Sequence, residues 1–284
     1  YNYFFSDEIL QEWEWSERYP GQPEILRYLN FVADRLHLRS HIRLSTRVVG
    51  ARFNRELGGW IVRTDDGTEI TCQFFITAVG CLSSANLPNI PGLDDFTGKY
   101  YHTGNWPHEG VDFRGKRVGQ IGTGSTGIQC VPVIAETAEH LTVFQRTANY
   151  SIPAHNGPLD DAFKKHVKDN IDYYRDLVRR TPNAHAFEIA DRNVRDVDED
   201  VRNEIYQKAW QKGGLQFRAA FHDLLMDDDA NKTAADFIKN KIREAVRDEQ
   251  TAEKLANIDH PFATKRPPID THYFEAYNRD NVSL

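Results

Sequence analysis

Between residues 116 and 146 the chain reads KRVGQIGTGSTGIQCVPVIAETAEHLTVFQR. A short strand-type run leads into a glycine-rich turn, then a stretch with helical apolar spacing, then a second strand-type run. Few architectures accept that order. When a helix carries the chain back between two strands, the strands run parallel and need cover on their faces. The segment therefore predicts an α/β chain built around a parallel sheet. Pro132 lies inside the helical stretch, near enough to its start to kink the helix rather than abolish it.

The flanks differ from this unit and from each other. Residues 23–37 (PEILRYLNFVADRLH) carry apolar residues at helical spacing, with Pro23 at a first-turn position. Short β-type runs follow: HIRLST, RVVGARF, WIVRT and EITCQFFITAVG. Gly58-Gly59 and Asp66-Gly67 punctuate them as hairpin turns. FFITAVG is almost wholly apolar, which predicts a strand buried on both faces. PNIPG at 88–92 has linker composition. From about 159 to 257 charged, amphipathic helical segments dominate (DAFKKHVKDNIDYYRDLVRR, VDEDVRNEIYQKAWQK, ADFIKNKIREAVRD), and they predict a helical insertion on the α/β core.

Composition narrows the function classes. The 284 residues carry a formal net charge of -7, and no Lys/Arg run suggests a nucleic-acid surface. Cys72, Cys81 and Cys130 lack metal-type spacing, and their odd number favours reduced thiols in a cytoplasmic protein. No stretch is long and apolar enough for a membrane span. The chain begins at Tyr1 without a Met and ends where a strand is starting, so a piece of a longer protein is expected.

A lone GxGxxG is weak, but this one follows a strand-type run and opens a helix. Gly122 permits the tight turn. Gly124 has no side chain to hold a pyrophosphate off the backbone, and Gly127 lets helix and strand pack closely. The helix N-terminus offers unpaired N–H groups and a positive dipole to phosphates. Thr123, Ser125, Thr126 and Gln129 lie on the same loop and first turn. An NAD-selective loop has an acidic residue about 20 positions on, for the ribose hydroxyls. Here Arg146 and Thr147 stand at that point, and a guanidinium suits a 2′-phosphate. The expected nucleotide is NADP rather than NAD. The alternative for Arg146 is a solvated surface side chain.

Residues 96–107 read FTGKYYHTGNWP. Phe96, Gly98, His102, Trp106 and Pro107 fit F-x-G-x-x-x-H-x-x-x-W-P/D, and the glycine loop follows at matching distance. WSERYPGQPEILRYLNFVADRLHL, ITAVGCLS, LPNIPGL, FQRTANYSIPA and KRPPIDTHYFEAYNRDNV agree. Across essentially its whole length the chain resembles the type I Baeyer–Villiger monooxygenases, nearest the phenylacetone and steroid monooxygenase branch. The resemblance implies a two-dinucleotide-binding flavoprotein. It would consist of a Rossmann-like NADP-binding domain with a helical insertion, plus part of an FAD-binding domain. Such enzymes use FAD, NADPH and O₂ to insert one oxygen atom beside a ketone carbonyl, giving an ester or lactone.

Site roles follow the same resemblance. Arg266 in TKRPP matches the family's active-site Arg. A permanent cation there would favour the deprotonated, nucleophilic form of the oxygen donor and stabilise the developing oxyanion. Lys265 matches a residue that helps hold the 2′-phosphate, with Arg146 and Thr147. By residue chemistry alone Lys265-Arg266 is a surface basic pair before a Pro-Pro bend. His102 and Trp106 sit on the linker that couples the nucleotide domains, with His102 packed and hydrogen bonded rather than acting as a base. Ala78 and Gly80 match an element touching the flavin domain's ligand, and Gln22 lies in a segment facing the nucleotide. The implied domains are 1–92 (partial FAD domain), 93–107 (linker), 108–270 (NADP domain with its insertion) and 271–284 (start of the return to the FAD domain).

The departures are as informative. No GxGxxG precedes residue 122, the place of the family's FAD loop. The Asp that partners the active-site Arg would lie upstream of Tyr1, and the part completing the FAD domain would follow Leu284. The chain alone is therefore expected neither to hold FAD tightly nor to turn over a ketone. Two other readings stay open: a flavin N- or S-oxygenase, and a non-catalytic NADP-binding fragment.

Overall fold

The computed structural model describes residues 5–284. It divides into two compact units, one of residues 25–110 and one of residues 1–24 and 111–284. Helix α1 (Asp7–Glu12) is capped by Ser6, whose hydroxyl accepts from the Ile9 N–H. Helix α2 (Gln22–Arg35) starts with Pro23 in its first turn, where a missing N–H costs nothing.

In the 25–110 unit three strands form an antiparallel meander: β1 (Val48–Asn54), β2 (Gly59–Thr64) and β3 (Glu69–Cys72). The turns follow from their residues. Asn54 pairs with Gly59 across the first hairpin, and Asn54 Oδ1 accepts from the N–H groups of Glu56 and Leu57. Asp66 Oδ1 accepts from the Thr68 N–H and the Thr64 hydroxyl, while Gly67 takes a left-handed φ of 83°. Two expected strands are absent. Of HIRLST, His41 ends a short 3₁₀ turn (Leu38–His41) and the rest is coil, and residues 74–80 (FFITAVG) form no strand. Phe74, Ile76 and Val79 are 76%, 84% and 73% exposed. An apolar run becomes a strand only when neighbours supply its ladder, and no described residues pair with this one.

The second unit contains the expected parallel sheet. Strand β4 (Arg117–Ile121), helix α3 (Ser125–Thr137) and strand β5 (His140–Phe144) form the β-turn-α-β unit, with Val118 opposite Leu141 in parallel register. Helix α3 buries Ile128, Val131 and Ala135, a spacing that keeps one face on the sheet, and it accommodates Pro132. Strand β6 (Ile152–Pro153) leads into the helical region: α4 (Asp161–Asp169), α5 (Ile171–Arg180), α6 (Glu199–Lys212), α7 (Asp228–Ala245) and α8 (Glu249–Ala256). The side chains of Asp160, Asp198, Asp227 and Asp248 cap four of these helices by accepting a first-turn N–H. Each such cap is worth about 1 kcal/mol.

The chain returns through β7 (Ile269–Asp270) and α9 (Tyr273–Ala276) to β8 (Val282–Ser283). β6 pairs with β7, and β8 adds to β5 as the third parallel strand. Residues 282–283 thus belong to this sheet. Asn281 explains the placement: its amide donates to the carbonyls of Ala135 and Ala138 at the end of α3, and its own carbonyl accepts from the Leu141 N–H. One core joins sheet and helices, including Leu141, Val143, Ile152, Tyr206, Phe217, Phe221, Ile238 and Phe262. Tyr206 stacks on Phe217 at 5.5 Å, and Phe217 on Phe237 at 5.8 Å. No helix among the described residues is long and apolar enough to cross a membrane.

Candidate functional site

The glycine loop leaves β4 and enters α3. Gly122 has φ of 104°, a left-handed value that side chains resist. A Cβ on Gly127 would overlap the carbonyl oxygen of Gly122, so the first turn of α3 can approach the strand only through glycine. A Cβ on Gly124 would meet no protein atom within 4 Å. Nothing in the protein's own packing explains Gly124, and the open space over its backbone fits a ligand lying against the loop. Gly124, Ser125 and Thr126 are exposed at the start of α3, and no side chain caps that helix. Its first N–H groups remain available to an anion.

Two side chains brace the loop from behind. Gln120 donates to the carbonyls of Gly122 and Gly127, at 3.3 and 3.1 Å. Thr123 is buried, and its hydroxyl donates to the Thr147 carbonyl at 3.1 Å. That bond ties the loop to the end of β5, where Arg146 and Thr147 stand. It also commits the Thr123 side chain to the protein. Gln129 folds back on Ser125, donating to its carbonyl at 3.0 Å. Arg146 is exposed and has no ion pair among the described residues. The bracing role of Gln120 was not read from the sequence, although its place at the end of β4 is where such a brace must come from.

Lys265 and Arg266 are exposed and lead into β7 through Pro267 and Pro268, both buried. Arg266 has cationic company from the helical region. Burial first, then the charges of Arg218 and Arg266, lowers the proton affinity of His185. Burial and Arg266 likewise lower that of Arg218. The His185 Nε2 is buried without a hydrogen-bond partner. Sequence reading missed this meeting of Arg218, His185 and Arg266 because Arg218 and His185 lie in segments whose only visible pattern is helical or polar.

The remaining candidates lie in or beside the other unit. His102 Nδ1 accepts from the Gly104 N–H at 3.0 Å, capping a one-turn 3₁₀ helix at Thr103–Asn105. A Cβ on Gly104 would crowd that ring at 3.1 Å, and one on Gly98 would meet the Phe96 ring at 2.5 Å. Phe96 with Gly98 and His102 with Gly104 thus form two local packing arrangements within FTGKYYHTGNWP. Trp106 packs against Tyr101 at 5.8 Å. Ala78 and Gly80 are exposed, Gly80 with φ of 72°, and Gln22 is exposed at the start of α2.

A parallel sheet, a glycine loop opening an uncapped helix and a cation at the end of the next strand define a nucleotide-binding α/β protein. Residues 6–167 match the family model described as flavin-binding monooxygenase-like, and the chain belongs to that family. It is 44% identical to a Baeyer-Villiger monooxygenase of Pseudooceanicola batsensis, over 100% of this chain and 52% of that protein. It is 40% identical to the phenazine N-monooxygenase PhzNO1 of Lysobacter antibioticus, over 100% of this chain and 52% of that one. Among solved structures, an oxidized steroid monooxygenase bound to NADP superposes with a TM-score of 0.93 at 51% identity, covering 99% of this chain and 54% of that one. The fold is therefore that of the Baeyer–Villiger flavoproteins. The chain spans about half the length of the relatives it matches.

Proposed function

We propose that this chain supplies the NADP-binding half of a flavin-dependent monooxygenase that places one oxygen atom from O₂ beside a ketone carbonyl, forming an ester or lactone. The observation that carries the reading is the loop at Gly122–Gly127. It leaves backbone and helix N-terminus open for a pyrophosphate, with Arg146 at the end of the neighbouring strand. Gly122, Gly124, Ser125, Thr126 and Gly127 would hold the pyrophosphate of NADPH. Thr123 braces them, and Gln129 keeps Ser125 in place. Arg146, Thr147 and Lys265 would hold the 2′-phosphate. FAD would supply the redox chemistry that activates oxygen.

Ala78 and Gly80 would touch the flavin domain's ligand, and Gln22 would lie in a segment facing the nucleotide. Arg266 would stabilise negative charge on the oxygen donor and on the former carbonyl oxygen. Arg218 enlarges the positive field around it, beside a His185 held neutral by burial and by the two guanidinium groups. His102 and Trp106 would serve as structural residues of the linker. A ketone and O₂ are the proposed reaction partners, and the cytoplasm the proposed location.

A second reading, N-oxygenation, rests on the 40% identity to a phenazine N-monooxygenase. The two separate on product analysis. With the full-length enzyme, a ketone should give ester, and Arg266→Ala should abolish ester while leaving NADPH-driven flavin reduction largely intact. Oxidation of an aromatic amine nitrogen with no ester from any ketone would favour the second reading. Retained ester formation in Arg266→Ala would remove Arg266 from the chemistry. The 284-residue chain with added FAD and NADPH should give no ester.

A further inference from the structure

Behind the two cation-bearing segments lies a buried polar pair that the reading above does not use. Ser151 is fully buried and Asp270 is 6% exposed. The Ser151 Oγ lies 2.5 Å from Asp270 Oδ2 and 3.4 Å from the Pro268 carbonyl oxygen. Asp270 Oδ1 accepts from the Tyr273 N–H at 3.2 Å. The backbones are joined as well: the Ile152 N–H donates to the Pro268 carbonyl at 3.1 Å, and the Ala154 N–H to that of Asp270 at 2.7 Å. Residues 151–154 and 268–270 are therefore held side by side through backbone and side chain together.

The pair's place in the sequence gives it leverage. Ser151 follows Arg146 and Thr147 by a few residues, and Asp270 follows Lys265 and Arg266 by as few. Pro267 and Pro268 fill the gap on one side. Each proline fixes its own φ, and Pro267 also confines Arg266 to extended backbone. A stiff, anchored lead of this kind transmits a shift at residues 268–270 to Arg266 instead of absorbing it. On the other side Tyr150 is fixed, its hydroxyl donating to the His260 carbonyl at 2.9 Å.

We propose that the buried Ser151–Asp270 pair is a positioning element that sets the spacing between the Arg146–Thr147 segment and the Lys265–Arg266 segment. It thereby fixes the enzyme's preference for a 2′-phosphorylated nucleotide and the aim of Arg266. This inference rests on the nucleotide reading of the glycine loop and Arg146.

A hydroxyl carries one proton, and that makes the pair chemically specific. When Asp270 is ionised, the Ser151 proton goes to the carboxylate. When Asp270 carries a proton, Asp270 donates to Ser151, and Ser151 can donate to the Pro268 carbonyl. Burial raises the proton affinity of Asp270, against the opposing hydrogen bonds from Ser151 and Tyr273; Glu275 acts in the same direction as burial, and His272 opposes it. Asparagine reproduces the second pattern: its oxygen accepts from Tyr273, and its amide donates to Ser151.

The test uses the full-length flavoenzyme. The readouts are the ratio of kcat/KM for NADPH to that for NADH, the ester formed per NADPH consumed, and Tm. Ser151→Ala and Asp270→Ala should lower the nucleotide ratio about tenfold and lower the ester yield per NADPH, whereas Asp270→Asn should stay within about twofold of the parent. Should Asp270→Ala fail to fold, Ser151→Ala decides, since it removes one hydroxyl from an otherwise intact backbone clamp. A Ser151→Ala enzyme with lowered Tm but the parental ratio and yield overturns the inference. Arg146→Ala is the control. If it lowers the ratio and Ser151→Ala does not, only the positioning inference falls; if it leaves the ratio unchanged, the nucleotide reading falls, and this inference with it.

Discussion

Residues 116–122 and residues 74–80 are both short runs that end in a glycine of left-handed φ, yet only the first contains a strand. The first lies beside β5, receives α3 on its face, and hands the chain to the glycine loop. The second has the richer apolar composition and stands exposed. Composition states what environment a run would suit. Whether the run becomes a strand depends on a ladder of N–H and C=O groups supplied by other segments. Residues 117–121 carry their partner 23 positions downstream, beyond one helix, within the same β-turn-α-β unit. Residues 74–80 find none among the described residues.

The largest expected effect attacks this contrast directly. Leu141 on β5 is fully buried, and Leu141→Ala should destabilise the 284-residue chain by about 2–5 kcal/mol through lost burial and the cavity left behind. Ile76→Ala in the same chain should change stability by no more than about 0.5 kcal/mol, as exposed positions do. Denaturant unfolding of both variants measures the difference. Equal losses would mean that residues 74–80 are buried in solution, and the contrast would collapse.

A finer version lies inside the loop. Gly127→Ala must displace either the first turn of α3 or the Gly122 carbonyl, and overpacking of this kind costs about 1–3 kcal/mol. Gly124→Ala meets open space and should leave Tm nearly unchanged. Both should weaken NADP binding, Gly127→Ala by deforming the loop and Gly124→Ala by putting a methyl group where the pyrophosphate would lie. Parallel Tm and titration measurements separate the two. A Gly124→Ala protein that binds NADP as the parent does would remove the pyrophosphate from that surface.

Much of this was legible in the sequence, for a reason the comparison makes plain. The β-turn-α-β unit, the hairpins and the helical region are specified by neighbours in the chain: Gly122, Gly124 and Gly127 at fixed offsets, Asn54 and Asp66 at turns, apolar spacing along α3. The GxGxxG spacing alone separates the Gly122 and Gly127 roles from that of Gly124. What escaped notice depends on long-range meetings. Asn281 brings β8 onto β5 from 140 residues away, Ser151 meets Asp270 across 119 residues, and Arg218 and His185 approach Arg266 from the helical region. None of these leaves a periodic trace. The FTGKYYHTGNWP segment is intermediate, because its pattern was readable while the packing of Phe96 on Gly98 and of His102 on Gly104 was not.

The smallest effect tests the local side of the comparison. The meander beside residues 74–80 forms although that run does not, and its second turn is held by short-range bonds to Asp66. The Thr64 hydroxyl first, then the Thr68 N–H, lowers the Asp66 carboxyl from its ordinary 3.8 to about 2. A carboxyl held low in the folded state stabilises the fold above its unfolded value and loses that contribution as pH falls through its folded value. The Asp66 contribution should therefore be present above pH 3.8 and fade toward about 2. Because the side chain is open to solvent, the effect is modest, and other carboxylates titrate in the same range. The difference between parent and Asp66→Asn isolates it, since asparagine keeps the acceptor and loses the charge. Followed by the fluorescence of Trp60 on β2, the parent should lose more stability than the variant over that window. Identical acid profiles would mean that Asp66 does not hold the turn through its charge, and that the meander owes its register to the Asn54–Gly59 hairpin and to strand pairing instead.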